Sequence, residues 1–166
     1  PDLERYALGV AWLRAQAPLL YLPDLVANPT APVLVVAGEK TADAARAIAP
    51  DGWLVTTWAG GESVAHHSDW KPLRGRPTVV IWPDNDGSGV KCAAEIEGIL
   101  GALGQPCAVI VVPRGFPEKW DLADAPPDGY GEAKLRALMI SAAATCTLHE
   151  DEPPPVPAKL NGKHGL

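Results

Sequence analysis

Residues Thr78–Gly87 read Thr-Val-Val-Ile-Trp-Pro-Asp-Asn-Asp-Gly. An apolar run of this length, rich in β-branched residues and closed by Pro83, predicts a strand over 78–82 buried on both faces. The strand ends in two carboxylates, Asp84 and Asp86. Alternate residues of an extended chain point the same way, so both can serve one metal region. Gly87 and Gly89 allow a sharp turn into a helix predicted over 89–103, whose start can stabilise an anion. Ala93, Ile96, Ile99, Leu100 and Leu103 form its apolar face, and Gly104 ends it. The same Asp-Asn-Asp-Gly also reads as a plain turn with a helix N-cap.

Working outward, the pattern repeats. Val33–Val36 is another continuous apolar run, set between Pro32 and Gly38. An Ala-rich helix follows over 41–48, ended by Pro50-Asp51-Gly52. A strand is predicted over 53–58, closed by Gly60-Gly61, and a short helix over 63–70. Downstream come a strand over 108–112 and a helix over 131–144. Apolar strands alternating with helices predict an α/β fold, with a central parallel sheet of about four strands flanked by helices.

Three segments are expected. Residues 1–32 form an N-terminal helix, with Leu3, Tyr6, Val10 and Leu13 at helical spacing, and a Pro-rich lead-in. Residues 33–146 form the α/β domain, and 147–166 a flexible acidic, Pro-rich tail. The chain opens on Pro1, and the expectation is a piece of something longer.

The whole chain has 166 residues, with 14 Lys+Arg against 20 Asp+Glu, a net charge of −6 and a pI near 5.1. That balance excludes nucleic-acid binding through a broad basic surface. No apolar run reaches the roughly twenty residues of a membrane span, and no basic-then-apolar leader opens the chain. Cys92, Cys107 and Cys146 are odd in number and far apart, unlike a disulfide ladder or a zinc site. A reduced, cytoplasmic setting is expected. His66 and His67 read as surface residues, and Trp70 and Trp120 as packing residues rather than base-stacking platforms. No Ser-His-Asp or Cys-His arrangement stands out, and there is no phosphate loop of a helicase motor.

Ligands of open parallel sheets sit outside the carboxyl ends of the strands. At this edge the sequence collects Glu39, Asp84, Asp86 and Asp121. Crowded carboxylates repel one another, and a hard divalent cation relieves the repulsion. Lys40, Lys91 and Arg114 are candidates for phosphate contact at the same edge.

Together Val33–Lys40 (VLVVAGEK), Thr41–Ala45 (TADAA), Gly60-Gly61, Ile81–Asp86 (IWPDND) and Lys119–Ala125 (KWDLADA) resemble the Toprim domain of phage- and plasmid-type primases and primase-helicases. The resemblance covers roughly residues 33–125. It implies a Rossmann-like sheet of four parallel strands and Mg²⁺-dependent phosphodiester chemistry, with Mn²⁺ able to substitute. It further implies Asp84, Asp86 and Asp121 as metal ligands, and Lys40, Gly60, Gly61 and Lys119 as nucleotide- and phosphate-binding residues. The implied function is nucleotidyl transfer in primer synthesis for DNA replication. Nucleotides and single-stranded DNA are the implied partners, met mainly through flanking domains, along with a helicase domain or partner. The departure is at the first motif, where the family's Glu directly after the first strand is Ala37 here, and Glu39 comes two residues later. Three readings stay open: Glu39 substitutes as the catalytic residue, the site binds metal with impaired chemistry, or Ala37 is an introduced change. A Toprim nuclease and a non-catalytic metal-, nucleotide- or partner-docking module are the alternative functions. A phosphate-accepting receiver domain, with Asp84 as acceptor and Lys119 behind it, fits the pattern more loosely.

Overall fold

The computed structural model describes residues 17–146. The helix expected over 3–16 and the tail over 147–166 lie outside the described residues. In chain order the elements are β1 (Ala17–Pro18), α1 (Leu22–Ala27), β2 (Val33–Val36), α2 (Glu39–Ile48), β3 (Leu54–Thr56), β4 (Ser68–Asp69), β5 (Val79–Trp82), α3 (Gly87–Ala102), β6 (Ala108–Val109) and α4 (Glu132–Ala143). Short 3-10 turns span Glu62–His67 and Lys71–Leu73.

Every residue of β2 and β5 is buried. Their side chains divide by alternation. Val33, Val35, Val79 and Ile81 join one core, and Leu34, Val36, Val80 and Trp82 join the other. A strand covered on both faces has no polar side, so its sequence is a continuous apolar run. The first core is completed by Cys92, Ala93, Ile96 and Leu100 of α3 and Leu25 of α1. The second is completed by Ala42, Ala45 and Ile48 of α2, Leu135 and Met139 of α4, and the loop residues Phe116, Trp120 and Leu122. The main sheet has four parallel strands in the order β3-β2-β5-β6, as an α/β layer fold requires. Among the described residues no helix is long and apolar enough to cross a membrane.

Several local expectations shift. The described part of the lead-in packs against the sheet: Leu19 and Leu25 are core residues, and β1 pairs in parallel with β4. Arg76 fastens it from within. Its side chain is buried and donates to the carbonyls of Leu25, Asn28 and Ala31 at 2.5, 2.8 and 3.2 Å. These are orphan acceptors at and beyond the end of α1, where a cation is favoured. The helix expected over 63–70 is a 3-10 turn followed by β4. The strand expected over 108–112 pairs only through Ala108–Val109. The amide of Ile110 still donates to Ile81 O at 2.9 Å, but the next rung needs an N–H at Pro83, which has none.

Candidate functional site

The chain leaves β2 for β3 on one side and β5 for β6 on the other, so the strand order reverses between β2 and β5. In open α/β sheets a crevice opens at such a switch point, outside the carboxyl ends of the two strands. Val36 and Trp82 are in register, so Ala37 and Pro83 are the first residues past the paired ends.

Asp84 stands next, half-buried. Burial foremost, then the negative charges of Glu62, Asp121 and Asp86, and a hydrogen bond with Glu62, push its carboxyl up to about 7. Asp84 is therefore the point on which the acids of this edge converge. Glu39 is not among the charges acting on it, and lies exposed in the first turn of α2. Lys40 is exposed beside it.

Asp86 does a different job. Its Oδ1 accepts from Ser88 N at 2.9 Å, Gly89 N at 2.8 Å and Ser88 Oγ at 2.8 Å. It is the N-cap of α3, and those bonds, with the nearby Lys119 ammonium, hold its carboxyl below the usual range. The turn-and-cap reading of Asp-Asn-Asp-Gly thus holds for Asp86, while Asp84 faces the acids.

Glu62 was not singled out by its sequence context. The Gly60-Gly61 turn, with φ of 96° and 79°, starts the 3-10 segment that carries it, and Trp58 Nε1 donates to Gly61 O at 2.7 Å to hold that turn. Gly60 and Gly61 thus lie where a loop presents Glu62 to Asp84. Ala37, Glu62, Asp84, Gly89 and Cys92 share the lining of a small cavity of about 10 Å³, room for one water. Glu62 and Cys92 also line an open groove of about 380 Å³ with Ser63, Ser88, Lys91 and Glu95.

The loop after β6 closes the other side. Asn85 N donates to Trp120 O, and Lys119 N to Asn85 O, both at 2.9 Å. Asn85 Nδ2 reaches Phe116 O at 3.0 Å and Pro117 O at 2.7 Å. This stitching brings the loop to the β5 end, where the charge of Lys119 acts on Asp86 and that of Asp121 on Asp84. Asp121 Oδ1 also accepts from Ala123 N at 2.6 Å. Trp120 is buried, packs edge-on to Phe116 at 4.7 Å and donates to Ala125 O at 2.9 Å, so it is a packing residue. Trp70 is buried as well, with Nε1 donating to Ala65 O at 2.9 Å. His66 is exposed, 3.5 Å from Glu95, with its ring against His67.

Among the described residues, no three His, Cys, Asp or Glu side chains meet as a group able to hold a metal. Carboxylate oxygens are the donors Mg²⁺ takes, and it is often bound by one or two of them, with waters and substrate phosphates completing the shell. Asp84 with one acidic neighbour fits that mode, and a cage built from protein alone does not. Comparison of the chain with protein-family models, curated proteins and solved structures finds no match in any of the three.

Proposed function

We propose that this chain is a Toprim-type domain of a primase-like protein, binding a nucleotide triphosphate with a divalent cation at the carboxyl ends of β2 and β5. The observation that carries the reading is the convergence of Glu62, Asp86 and Asp121 on a half-buried Asp84 at the switch point of a four-stranded parallel sheet. Such crowding leaves an excess of negative charge that a cation relieves. The order of the motifs along the chain supports the same reading.

Asp84 with one acidic neighbour, Asp121 or the Asp86 oxygen outside the cap, would hold Mg²⁺ or Mn²⁺, with waters and phosphate oxygens completing the shell. The bound ion would supply charge neutralisation at the phosphate oxygens during nucleotidyl transfer. Lys119, exposed on its loop, is the cation that meets the phosphates from the β6 side, and Lys40 lies exposed at the start of α2. The acidic net charge suits this division, because grip on single-stranded template then belongs to flanking domains and a helicase partner rather than to this surface.

Ala37 favours a second reading. No carboxylate stands directly after β2, and alanine neither holds a metal nor moves a proton. On this reading the domain binds nucleotide and metal without turning the nucleotide over.

The test is calorimetric titration of Mn²⁺, alone and with ATP, into the chain, its Asp84→Asn variant and its Ala37→Glu variant. Mn²⁺-ATP is expected to bind, with affinity falling about tenfold or more in Asp84→Asn. Silence of the unaltered chain towards Mn²⁺-ATP, or indifference to Asp84→Asn, overturns the proposal. Binding of Mn²⁺-ATP by both chains with nucleotidyl transfer appearing only in Ala37→Glu supports the second reading.

A further inference from the structure

We infer that Asn85 is a positioning residue, and that its work is to hold the Lys119 ammonium at the acidic edge, where it meets a ligand's phosphate. The inference rests on the reading above and deepens it, since it names the residue that makes Lys119 available.

Asn85 sits between two acids, yet it lines neither the small cavity at Asp84 nor the groove beside it. Its bonds all go to one loop. The backbone exchanges two hydrogen bonds with it, Asn85 N to Trp120 O and Lys119 N to Asn85 O, each 2.9 Å. The side-chain amide adds two more, to Phe116 O at 3.0 Å and Pro117 O at 2.7 Å. The four contacts bracket Lys119 on both sides. Apolar anchors secure the rest of the loop, with Phe116 and Trp120 buried and stacked edge-on, and Trp82 6.2 Å from Trp120.

Lys119 stands out in that bracket. Its φ is 64°, in the left-handed region that side chains other than glycine avoid. A turn needing only that conformation is best served by glycine or asparagine. A lysine there carries a backbone cost, and strain of this kind is overdetermined by its surroundings. Asn85 supplies that overdetermination. The Lys119 side chain is exposed and takes no part in packing, while its charge reaches Asp86 across the site. The strained backbone thus carries an exposed cation whose charge acts at the acidic edge.

A merely structural Asn85 would tie down the loop without coupling to Lys119. The two roles separate in a double-mutant cycle on the full chain, using Asn85→Ala, Lys119→Ala and the pair. Asn85→Ala removes both side-chain amide bonds to the loop without adding a charge beside Asp84 and Asp86. The probes are Mn²⁺-ATP and Mn²⁺ alone, by calorimetry, together with trypsin cleavage after Lys119 and a thermal melt. Asn85→Ala is expected to weaken Mn²⁺-ATP about tenfold, leave Mn²⁺ alone unchanged, and open the Lys119–Trp120 bond to trypsin with the global melt preserved. The pair is expected to bind no worse than Lys119→Ala by itself. Additive losses in the pair, or an Asn85→Ala chain that binds Mn²⁺-ATP as tightly as the parent, overturn the positioning role. Should Asn85→Ala not fold, Asn85→Ser replaces it in the same cycle. If the unaltered chain binds no Mn²⁺-ATP, the functional reading fails and this inference falls with it. If the chain binds and only the cycle is additive, the functional reading survives and this inference alone is lost.

Discussion

Two neighbouring strands, β2 and β5, end at the same level and open into helices, yet their ends differ in every chemical respect. Past β2 come Ala37, Gly38 and Glu39, tied down by one side-chain bond from Gly38 N to Thr57 Oγ1 at 3.0 Å, with Glu39 exposed. Past β5 come Asp84, Asn85 and Asp86. There one carboxylate faces three others, one amide stitches a distant loop, and one carboxylate caps α3. The difference teaches that a strand end becomes a site when the chain elsewhere converges on it. The β5 end draws in the charges of Glu62 from one loop and of Lys119 and Asp121 from another, whereas the β2 end meets Glu62 only across the small cavity that Ala37 lines, with no charged group of its own facing it.

The strongest test of that contrast is steric. A Cβ at Gly89 would press into the Asp84 backbone, 2.9 Å from its nitrogen, 3.0 Å from its carbonyl carbon and closer still to its carbonyl oxygen. Neither side can yield without moving α3 off β5, so Gly89→Ala is expected to cost about 2–4 kcal/mol in urea denaturation. Gly38, at φ 86° and ψ 150°, has open space around it, its nearest neighbour being Thr41 Oγ1 at 3.9 Å. Gly38→Ala therefore meets conformational strain alone, about 1–2 kcal/mol. Equal costs would mean the α3 start is no more tightly seated than the α2 start.

Capping sharpens the contrast next. Asp86→Ala removes the acceptor of three hydrogen bonds and is expected to cost about 1–2 kcal/mol at pH 7. Because its folded pKa is depressed, that contribution is present above its ordinary pKa and fades as the pH falls through the lowered value. Glu39→Ala, with no cap bond at the α2 start, is expected to stay within about 0.5 kcal/mol. A Glu39→Ala loss as large as that of Asp86→Ala would break the comparison.

The smallest effect has the opposite sign. Asp84 carries a folded pKa of about 7, above its unfolded value near 4, so its ionisation opposes folding. The penalty is absent below pH 4, grows through the interval and is complete above pH 7. Asp84→Asn is expected to stabilise the chain by on the order of 1 kcal/mol at pH 8, after allowance for partial exposure, and by almost nothing at pH 4. Melting curves of both chains at the two pH values, without divalent cations, make the check. A variant equally stabilised at both would show that charge is not the cause.

The strands were legible because burial on both faces leaves an apolar run in the sequence itself, as in Val33–Val36 and Val79–Trp82. Asp84 and Asp86 were legible as strand-end acids, but not their division of labour. That division depends on which acid faces other carboxylates and which faces the amides of α3. Glu39 is conspicuous through its nearness in sequence to the Ala37 position, whereas Glu62 reaches Asp84 through a turn 22 residues upstream of it. Asn85 gave no signal at all, since its four bonds go to residues more than thirty positions away.

What belongs to the sequence by itself is therefore the alternation of buried strands and helices, the parallel sheet it entails, and the placement of acids where the strands end. Those follow from local periodicity and from the need to bury apolar residues on both faces of each strand. The tertiary structure alone decided the strand order, the seat of the lead-in on Arg76, and the meeting of Glu62, Asp121 and Lys119 around the β5 end. Such meetings are contacts between distant segments, and a charge acquires its chemistry from the neighbours and burial that folding supplies.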